Sequence, residues 1–276
     1  MKNSKSFYAL LFLISNFILI KAQHSSFIYE LKYKPLIKDS ITEKIIFYLD
    51  TKYTKSVFRS DKFRISDSLA AKRGWGEGFD MEYNNKQLYV LKNLEKNQIY
   101  KYIFVPLVHS IYSIRIEDQF HWTVLEDKMK IGDYNCQKAK VEYGGRIWTA
   151  WFTNEITVQD GPYVFHGLPG LIVKISDENS DYDFELIEIS DFKWKELYPP
   201  KSQKQISWKD FQKLQRTFYS DPLVMINKSE IKTYDESGNI IKTDIKEMKK
   251  NIQNRIREKN NPIELNYILD YENYKY

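Results

Sequence analysis

The sequence predicts an α+β protein that is mostly β: one large antiparallel sheet with a few helices, mainly C-terminal. Three observations carry this. Apolar and aromatic residues alternate with period two over many short segments, the pattern of strands with one buried face. Turn signals separate those segments, above all Gly144-Gly145 and the Asp/Asn/Ser run at 177–181, with few helical stretches between them. Helical spacing becomes prominent only after residue 207. The counts agree. A chain with 16% aromatic and 42% hydrophobic residues is not intrinsically disordered. One cysteine cannot form an internal bridge, which excludes a disulfide scaffold.

Residues 1–22, MKNSKSFYALLFLISNFILIKA, have Lys2 and Lys5 ahead of an apolar run from Phe7 to Ile20 and a small residue, Ala22, at the end. This is the layout of a cleaved signal peptide. The run has 14 residues, short of the roughly 20 that span a bilayer. Cleavage after Ala22 removes three lysines, so the net charge falls from +5 to +2. A near-neutral chain is not the dense basic surface of a nucleic-acid binder. Secretion or a periplasmic location is expected, with no membrane-spanning segment left after signal removal. Residues 23–276 then form one β-rich domain whose helical part lies at about 207–258.

The strands follow in order. In Phe27–Lys34, residues Phe27, Tyr29, Leu31 and Tyr33 share one face, with Glu30, Lys32 and Lys34 on the other. Lys44–Asp50 and Lys55–Ser60 are rich in Ile, Phe, Tyr and Val. Asp61–Lys72 breaks the alternation, with Phe63, Ser66, Leu69 and Ala70 at helical spacing and Gly74 as the stop. The Gly74–Gly78 stretch lacks the context of a phosphate loop and reads as a surface loop. Strands resume at Gln87–Leu91, Gln98–Val105, Tyr112–Glu117, Phe120–Glu126, Lys138–Tyr143, Arg146–Phe152, Leu171–Asp177 and Tyr182–Ile189. Gly144-Gly145 suits a two-residue hairpin because both glycines accept positive φ. Residues 195–206, with Pro199-Pro200, read as a linker. Ser207 is placed to cap a helix bearing Trp208, Phe211, Leu214 and Phe218, and Thr243 another bearing Ile245, Met248, Ile252 and Ile256. Lys246, Lys249, Lys250, Arg255 and Arg257 crowd the polar side of the latter, a solvated face or a basic surface for a partner.

Residues 131–177 carry a resemblance. Gly167-Leu168-Pro169-Gly170-Leu171-Ile172 spells the hexapeptide that names the GLPGLI family of secreted proteins from Bacteroidetes-type bacteria. Ile131-Gly132 with Tyr134, Cys136, Lys138 and Ala139, Arg146 with Ala150-Trp151-Phe152, Glu155-Ile156, Gly161-Pro162, and Asn261–Leu265 are also similar to elements of that family. Thr157 stands where the family usually has Pro. The tight motif covers about a sixth of the chain. The resemblance implies a β-rich envelope protein with no established activity. A long antiparallel sheet with helices also resembles the half-barrel of periplasmic lipoprotein carriers, whose concave face holds an acyl chain.

The motif has a physical reading of its own. Gly167 and Gly170 permit positive φ or close backbone approach, and Pro169 fixes a turn between them. Gly161–Gly170 therefore reads as an ordered loop delivering a strand into the sheet, either as a folding signature or as a binding loop. Leu171, Val173 and Ile175 are expected on one face of that strand and Ile172 and Lys174 on the other. Arg146 and Trp148 share one face of their strand and Trp151 lies on the other, so both faces are expected to be covered. An Arg on a covered face needs a carboxylate, and Glu155 and Asp160 are the nearest in sequence. The candidate site residues are thus Arg146, Trp148, Trp151, Glu155, Asp160, Gly161, Pro162, His166, Gly167, Leu168, Pro169, Gly170, Leu171 and Ile172.

Chemistry beyond that is sparse. His24, His109, His121 and His166 are scattered, without His-Glu-x-x-His spacing, so no metal and no cofactor is expected. Gly-x-Ser-x-Gly is absent. Cys136 with His166 is the minimum for a thiol nucleophile, but burial of the thiol is the simpler expectation. The leading reading is a non-enzymatic envelope protein that binds a lipid, a peptide or a partner such as an outer-membrane protein. The alternatives are a hydrolase-type or metal-dependent enzyme using residues around 136–170, and a structural or assembly factor of the envelope.

Overall fold

A computed structural model describes residues 24–37, 41–76, 87–106, 110–193, 196–197, 199–200, 204–224, 231–234, 236–271 and 273. Residues 1–22, read above as a signal peptide, together with His109 and parts of the 74–78 loop and of the expected 195–206 linker, lie outside the described residues. A first meander contains β1 (Ser25–Tyr33), β2 (Glu43–Lys52), β3 (Lys55–Ser60), β4 (Tyr89–Asn93), β5 (Gln98–Phe104) and β6 (Ile111–Ile116). A second contains β7 (Thr123–Ile131), β8 (Tyr134–Tyr143), β9 (Arg146–Thr153), β10 (Leu171–Asp177) and β11 (Tyr182–Asp191). β11 pairs antiparallel with β1 and fuses the two. A short β12 (Lys204–Gln205), inside the expected linker, adds parallel to β6. The result is a 12-stranded open sheet in the order β12-β6-β5-β4-β3-β2-β1-β11-β10-β9-β8-β7, mostly antiparallel as expected.

Helix α1 (Asp61–Arg73) carries Asp61 in its first turn and ends at Gly74, left-handed at φ +84°, the usual stop for a chain that must leave a helix sharply. Helix α2 (Trp208–Ser220) begins with a capping box between Ser207 and Asp210. Helix α3 (Ile245–Glu258) is capped by Asp244, whose side chain accepts from the Glu247 amide. Thr243, the expected cap, instead shares a hydrogen bond with Thr233 at 2.7 Å. Ile252 and Ile256 of α3 are buried with Phe218, Tyr219 and Leu223 in a C-terminal cluster. Gly144 and Gly145 both have positive φ, at +64° and +78°, and close the β8–β9 hairpin as predicted.

The strand order forces curvature. β6 and β7 lie ten strand spacings apart, roughly 48 Å in a flat sheet. Only residues 117–122 connect them, and seven steps of chain reach at most about 25 Å. The sheet must bend so that its two ends approach each other. Phe120 and Trp122, expected in a strand, instead sit in this connector and pack inward. Phe120 lies against Tyr143 and Phe165, each at 5.6 Å between ring centroids.

The concave side is not empty. Residues 161–170 fold into it as a plug, with Tyr163, Val164, Phe165 and Leu168 all buried in the main core. Phe165 alone spans the curve: its ring sits 4.7 Å from Trp148 on β9, and its carbonyl accepts from Lys92 on β4 at 3.5 Å. Those strands are six spacings apart in the sheet. Tyr29, Leu31 and Tyr33 of β1, Phe47 and Leu49 of β2, and Tyr182 and Phe184 of β11 line the same interior. On the convex side Val57, Phe63, Tyr89, Tyr102 and Phe104 form a separate cluster under α1. In β10 a register irregularity between Ile172 and Lys174 turns Ile172 into the core with Leu171 and Ile175, which corrects the simple alternation expected there.

The two glycines of the hexapeptide do different work. Gly167, at φ +90°, has nothing within 4 Å of where a Cβ would be, whereas at Gly170, φ +150°, a Cβ would meet the Thr153 carbonyl oxygen at 2.0 Å. Gly167→Ala is therefore expected to cost about 1–2 kcal/mol of conformational strain, and Gly170→Ala about 3 kcal/mol or more through displacement of the β9–β10 backbone. Urea unfolding midpoints of the two variants check the ranking.

Candidate functional site

Polar groups in this apolar interior gather in three places, each holding a loop or the C-terminal segment against the sheet. The first anchors the plug. Lys92 on β4, fully buried, forms an ion pair with Asp160 and donates to the Gly161 carbonyl at 2.7 Å. Ser56 Oγ on β3 and the Gly161 amide donate to the two carboxylate oxygens of Asp160 at 2.6 and 2.8 Å. Burial pulls the Lys92 ammonium below its ordinary range, and the Asp160 charge opposes that pull. Asp160 also pairs with His166 through a backbone bridge, so the plug is itself a tight hairpin. The Phe120 ring meets His166 edge-on at 5.1 Å, while Nδ1 of His166 contacts the Val164 carbonyl at 3.0 Å. Burial holds the His166 pKa below the usual histidine range, and Lys92 adds to that effect.

The second place is Arg146. Its expected carboxylates were Glu155 and Asp160; its partners are Asp177 and Asp181, both at 2.9 Å. Nε and Nη2 donate further to the carbonyls of Ile263 and Pro262 at 3.0 and 2.9 Å, and Nη2 to Asn261 Oδ1 at 2.5 Å. Sequence proximity misled because the β9 and β10 register sets Asp177 opposite Trp148, beside Arg146, while Glu155 lies past the far end of β9. Five hydrogen bonds use the whole guanidinium fork. Glu155 instead accepts from Asn135 at the hairpin end of β8.

The third place lies where the C-terminal segment crosses the mouth of the curved sheet. Glu264 Oε1 accepts from the Tyr143 and Tyr163 hydroxyls, and Oε2 from Lys101 on β5 at 2.7 Å. Burial and the Glu264 charge push both phenols well above their ordinary range. Lys101 also lies 5.1 Å from the Trp208 ring, which stacks on Tyr267 at 4.4 Å. A cavity of about 70 Å³ opens beside these groups, lined among others by Gln87, Leu88, Phe211 and Ile263.

The remaining sequence candidates are spread out. Trp148 is buried and donates from Nε1 to the Tyr143 carbonyl at 3.1 Å. The opposite face of β9 is wet rather than covered: Ile147 is 37% exposed and Trp151 is half-buried, its ring 5.6 Å from Lys138 Nζ. Strand β9 therefore faces the core on one side only. Gly161 packs so closely on Ile172 that a Cβ would sit 2.7 Å from that side chain. Pro162 accepts from the Phe165 amide at 3.2 Å across the plug's turn; Pro169 follows Leu168 where the chain turns into β10. Cys136 is buried, and burial pushes its thiol up to about 11. Lys92 and Lys101 carried no sequence expectation, and Glu264 entered only within the Asn261–Leu265 element, not as a site candidate. Each lone charge at an inward strand or segment position was the available signal. It also missed a convex-side network in which Arg59 bonds Asp50 and Asp67 at 3.1 and 2.5 Å, with Arg64 on Asp50 at 2.9 Å.

This is an open, curved β-sheet protein with a self-filled interior and a helical cap at its mouth. Residues 144–174 match a family described as "Protein of unknown function (Porph_ging)", over the segment on which the GLPGLI resemblance rests. No curated protein matches the chain. Among solved structures, PNGF-II, in two space groups, is similar at 16% identity and a TM-score of 0.49, over 70% of this chain and 33% of that one. The chain thus spans about a third of the length of PNGF-II. A LolA superfamily protein from Nitrosomonas europaea is similar at 10% identity and a TM-score of 0.28, over 67% of this chain and 97% of that one.

Two outcomes follow from the polar anchors. Arg146→Leu leaves Asp177 and Asp181 buried without their cation and is expected to lower unfolding stability by about 3–5 kcal/mol, measured by denaturant titration. His166, held neutral in the folded state but free to protonate when unfolded, makes stability fall as pH drops below about 6.5. His166→Gln is expected to lose less stability than the parent between pH 7.5 and 5.5, and equal losses would show that His166 is not the responsible group.

Proposed function

We propose that the chain is an exported, non-enzymatic binding protein of the cell envelope, of GLPGLI type, directed there by residues 1–22. Its partner, a lipid or a peptide, engages the helix-capped mouth of the sheet and not the concave interior. The observation that carries this reading is the plug. Tyr163, Val164, Phe165 and Leu168 fill the concave interior with buried side chains, which leaves that side closed to an acyl chain. A cavity of about 70 Å³ lies at the mouth, where Lys101, Glu264 and Trp208 meet the C-terminal segment. A rigid interior with an aromatic and polar rim suits recognition at a preformed seat.

The test is mass spectrometry of whatever accompanies the protein when it is purified from its native envelope, followed by thermal denaturation with the recovered component added back. A bound lipid or peptide that raises the melting temperature is expected. Recovery of nothing, together with no shift by envelope lipids or peptide mixtures, would remove the basis of the reading.

A further inference from the structure

We infer that helix α1 is a strap on the convex face of the sheet, able to lift as a unit between Ser60 and Gly74 while the sheet beneath it keeps its charges paired. The strap is independent of the binding reading above.

Helices in folded proteins are held chiefly by an apolar face packed against the rest of the chain. Helices α2 and α3 have such a face, with Phe218 and Tyr219 of one and Ile252 and Ile256 of the other in a shared cluster. Helix α1 does not. Its buried residues are Phe63, Ser66 and Asp67, so one large apolar side chain enters the cluster below, and Ile65 stands 45% exposed. Phe63 stacks on Phe104 at 4.3 Å and meets Tyr89 edge-on at 5.7 Å. The other ties are polar. Arg64 Nε and Nη2 donate to the two carboxylate oxygens of Asp50 at 3.1 and 2.9 Å, and Nη2 donates to Ser26 Oγ at 2.8 Å. Asp67 Oδ2 accepts from Arg59 at 2.5 Å and from the Tyr89 hydroxyl at 2.7 Å.

Breaking a buried ion pair is costly when one partner leaves and the other stays behind unpaired. Here α1 brings one cation and one anion to the network, Arg64 and Asp67, and takes both with it. Arg59 on β3 and Asp50 on β2 remain bonded to each other at 3.1 Å. Arg59 also keeps the Leu197 carbonyl at 2.8 Å, and Asp50 keeps the Ser26 hydroxyl. The plug and the C-terminal segment are the opposite case. Withdrawing either would strand Lys92 or Lys101, which pair with Asp160 and Glu264 and sit on the sheet itself.

Both ends of α1 suit a hinge. Ser60 precedes the helix without a side-chain cap. Gly74 leaves it at φ +84° with nothing within 4 Å of a Cβ position, so the backbone turns there without steric cost. Lifting the strap bares Val57, Tyr89, Tyr102 and Phe104, the sheet's share of the convex cluster.

Hydrogen–deuterium exchange of the full chain, read by mass spectrometry, tests the inference. After correction for intrinsic rates, the amides of residues 61–73 are expected to exchange about tenfold or more faster than those of β3 and β4 beneath them. That exchange is expected to be insensitive to urea concentrations at which the sheet stays folded, because little surface is exposed. Phe63→Ala is expected to speed the α1 amides about tenfold further and leave the sheet amides unchanged. Thiol labelling gives a second reading that does not depend on that variant. In a Cys136→Ala background, Val57→Cys under the strap is expected to react about tenfold or more faster than Leu49→Cys on the concave side. Exchange of α1 at the rate of β3 and β4, or equal reactivity of the two thiols, overturns the inference.

Discussion

A six-residue connector sets the shape of the whole molecule. Residues 117–122 carry the chain from β6 to β7, strands that the hydrogen-bonding order places near opposite ends of the sheet. A chain of that length cannot cross a flat sheet of that width, so the two meanders curl toward each other. Once curled, they enclose a space that must be filled, because protein interiors are close-packed and a void forfeits the contacts of its lining. Residues 161–170 fill it. Phe120 and Trp122 of the connector then cover the plug, with Trp122 Nε1 donating to the His166 carbonyl at 2.9 Å. Curvature, plug and cover are one arrangement.

Hydrophobic burial alone would not fix how the plug sits. The ion pairs do so: Lys92 with Asp160 ties β4 to the start of the plug, Lys101 with Glu264 ties β5 to the C-terminal segment, and Arg146 with Asp177 and Asp181 ties β9 to the turn after β10. Buried pairs of this kind contribute little net stability relative to apolar replacements, yet breaking one by removing a single partner is costly. Their effect is to penalise any other placement of the plug or the C-terminal segment, since each would strand a charge in an apolar interior. Tyr163 shows the same over-determination. It holds φ +55° without being glycine, a conformation that costs a side-chain-bearing residue about 1–2 kcal/mol, and its hydroxyl is held by Glu264.

What the sequence conveyed follows from the range of the interactions involved. Period-two runs such as Phe27–Tyr33 and the Gly144-Gly145 hairpin are local, and the strands, the open antiparallel sheet and the capped C-terminal helices were legible from them. The curvature was legible in principle but needs strand order, which no periodicity carries. The partners of Arg146 were misassigned because pairing across a sheet ignores sequence distance: Asp181 lies 35 residues away and Asn261 lies 115. Phe120 and Trp122 looked like strand residues because aromatic content marks burial, whether the backbone is extended in a sheet or crosses its open side.

The hexapeptide itself now has a mechanical account. Gly161 lets the plug lie against Ile172, Gly167 turns the chain back from the tip through positive φ, and Leu168 inserts into the core. Gly170 then lets the chain pass under the Thr153 carbonyl before Leu171 and Ile172 enter the sheet beside β9. Each residue of the motif serves the passage from plug to strand: the Leu168, Leu171 and Ile172 side chains face the core, and Pro169 lies exposed at the turn. A segment that packs against both halves of the sheet is constrained at nearly every position, whatever the protein binds. On the binding reading proposed above, recognition falls to the mouth, where the helical cap meets the rim of the sheet.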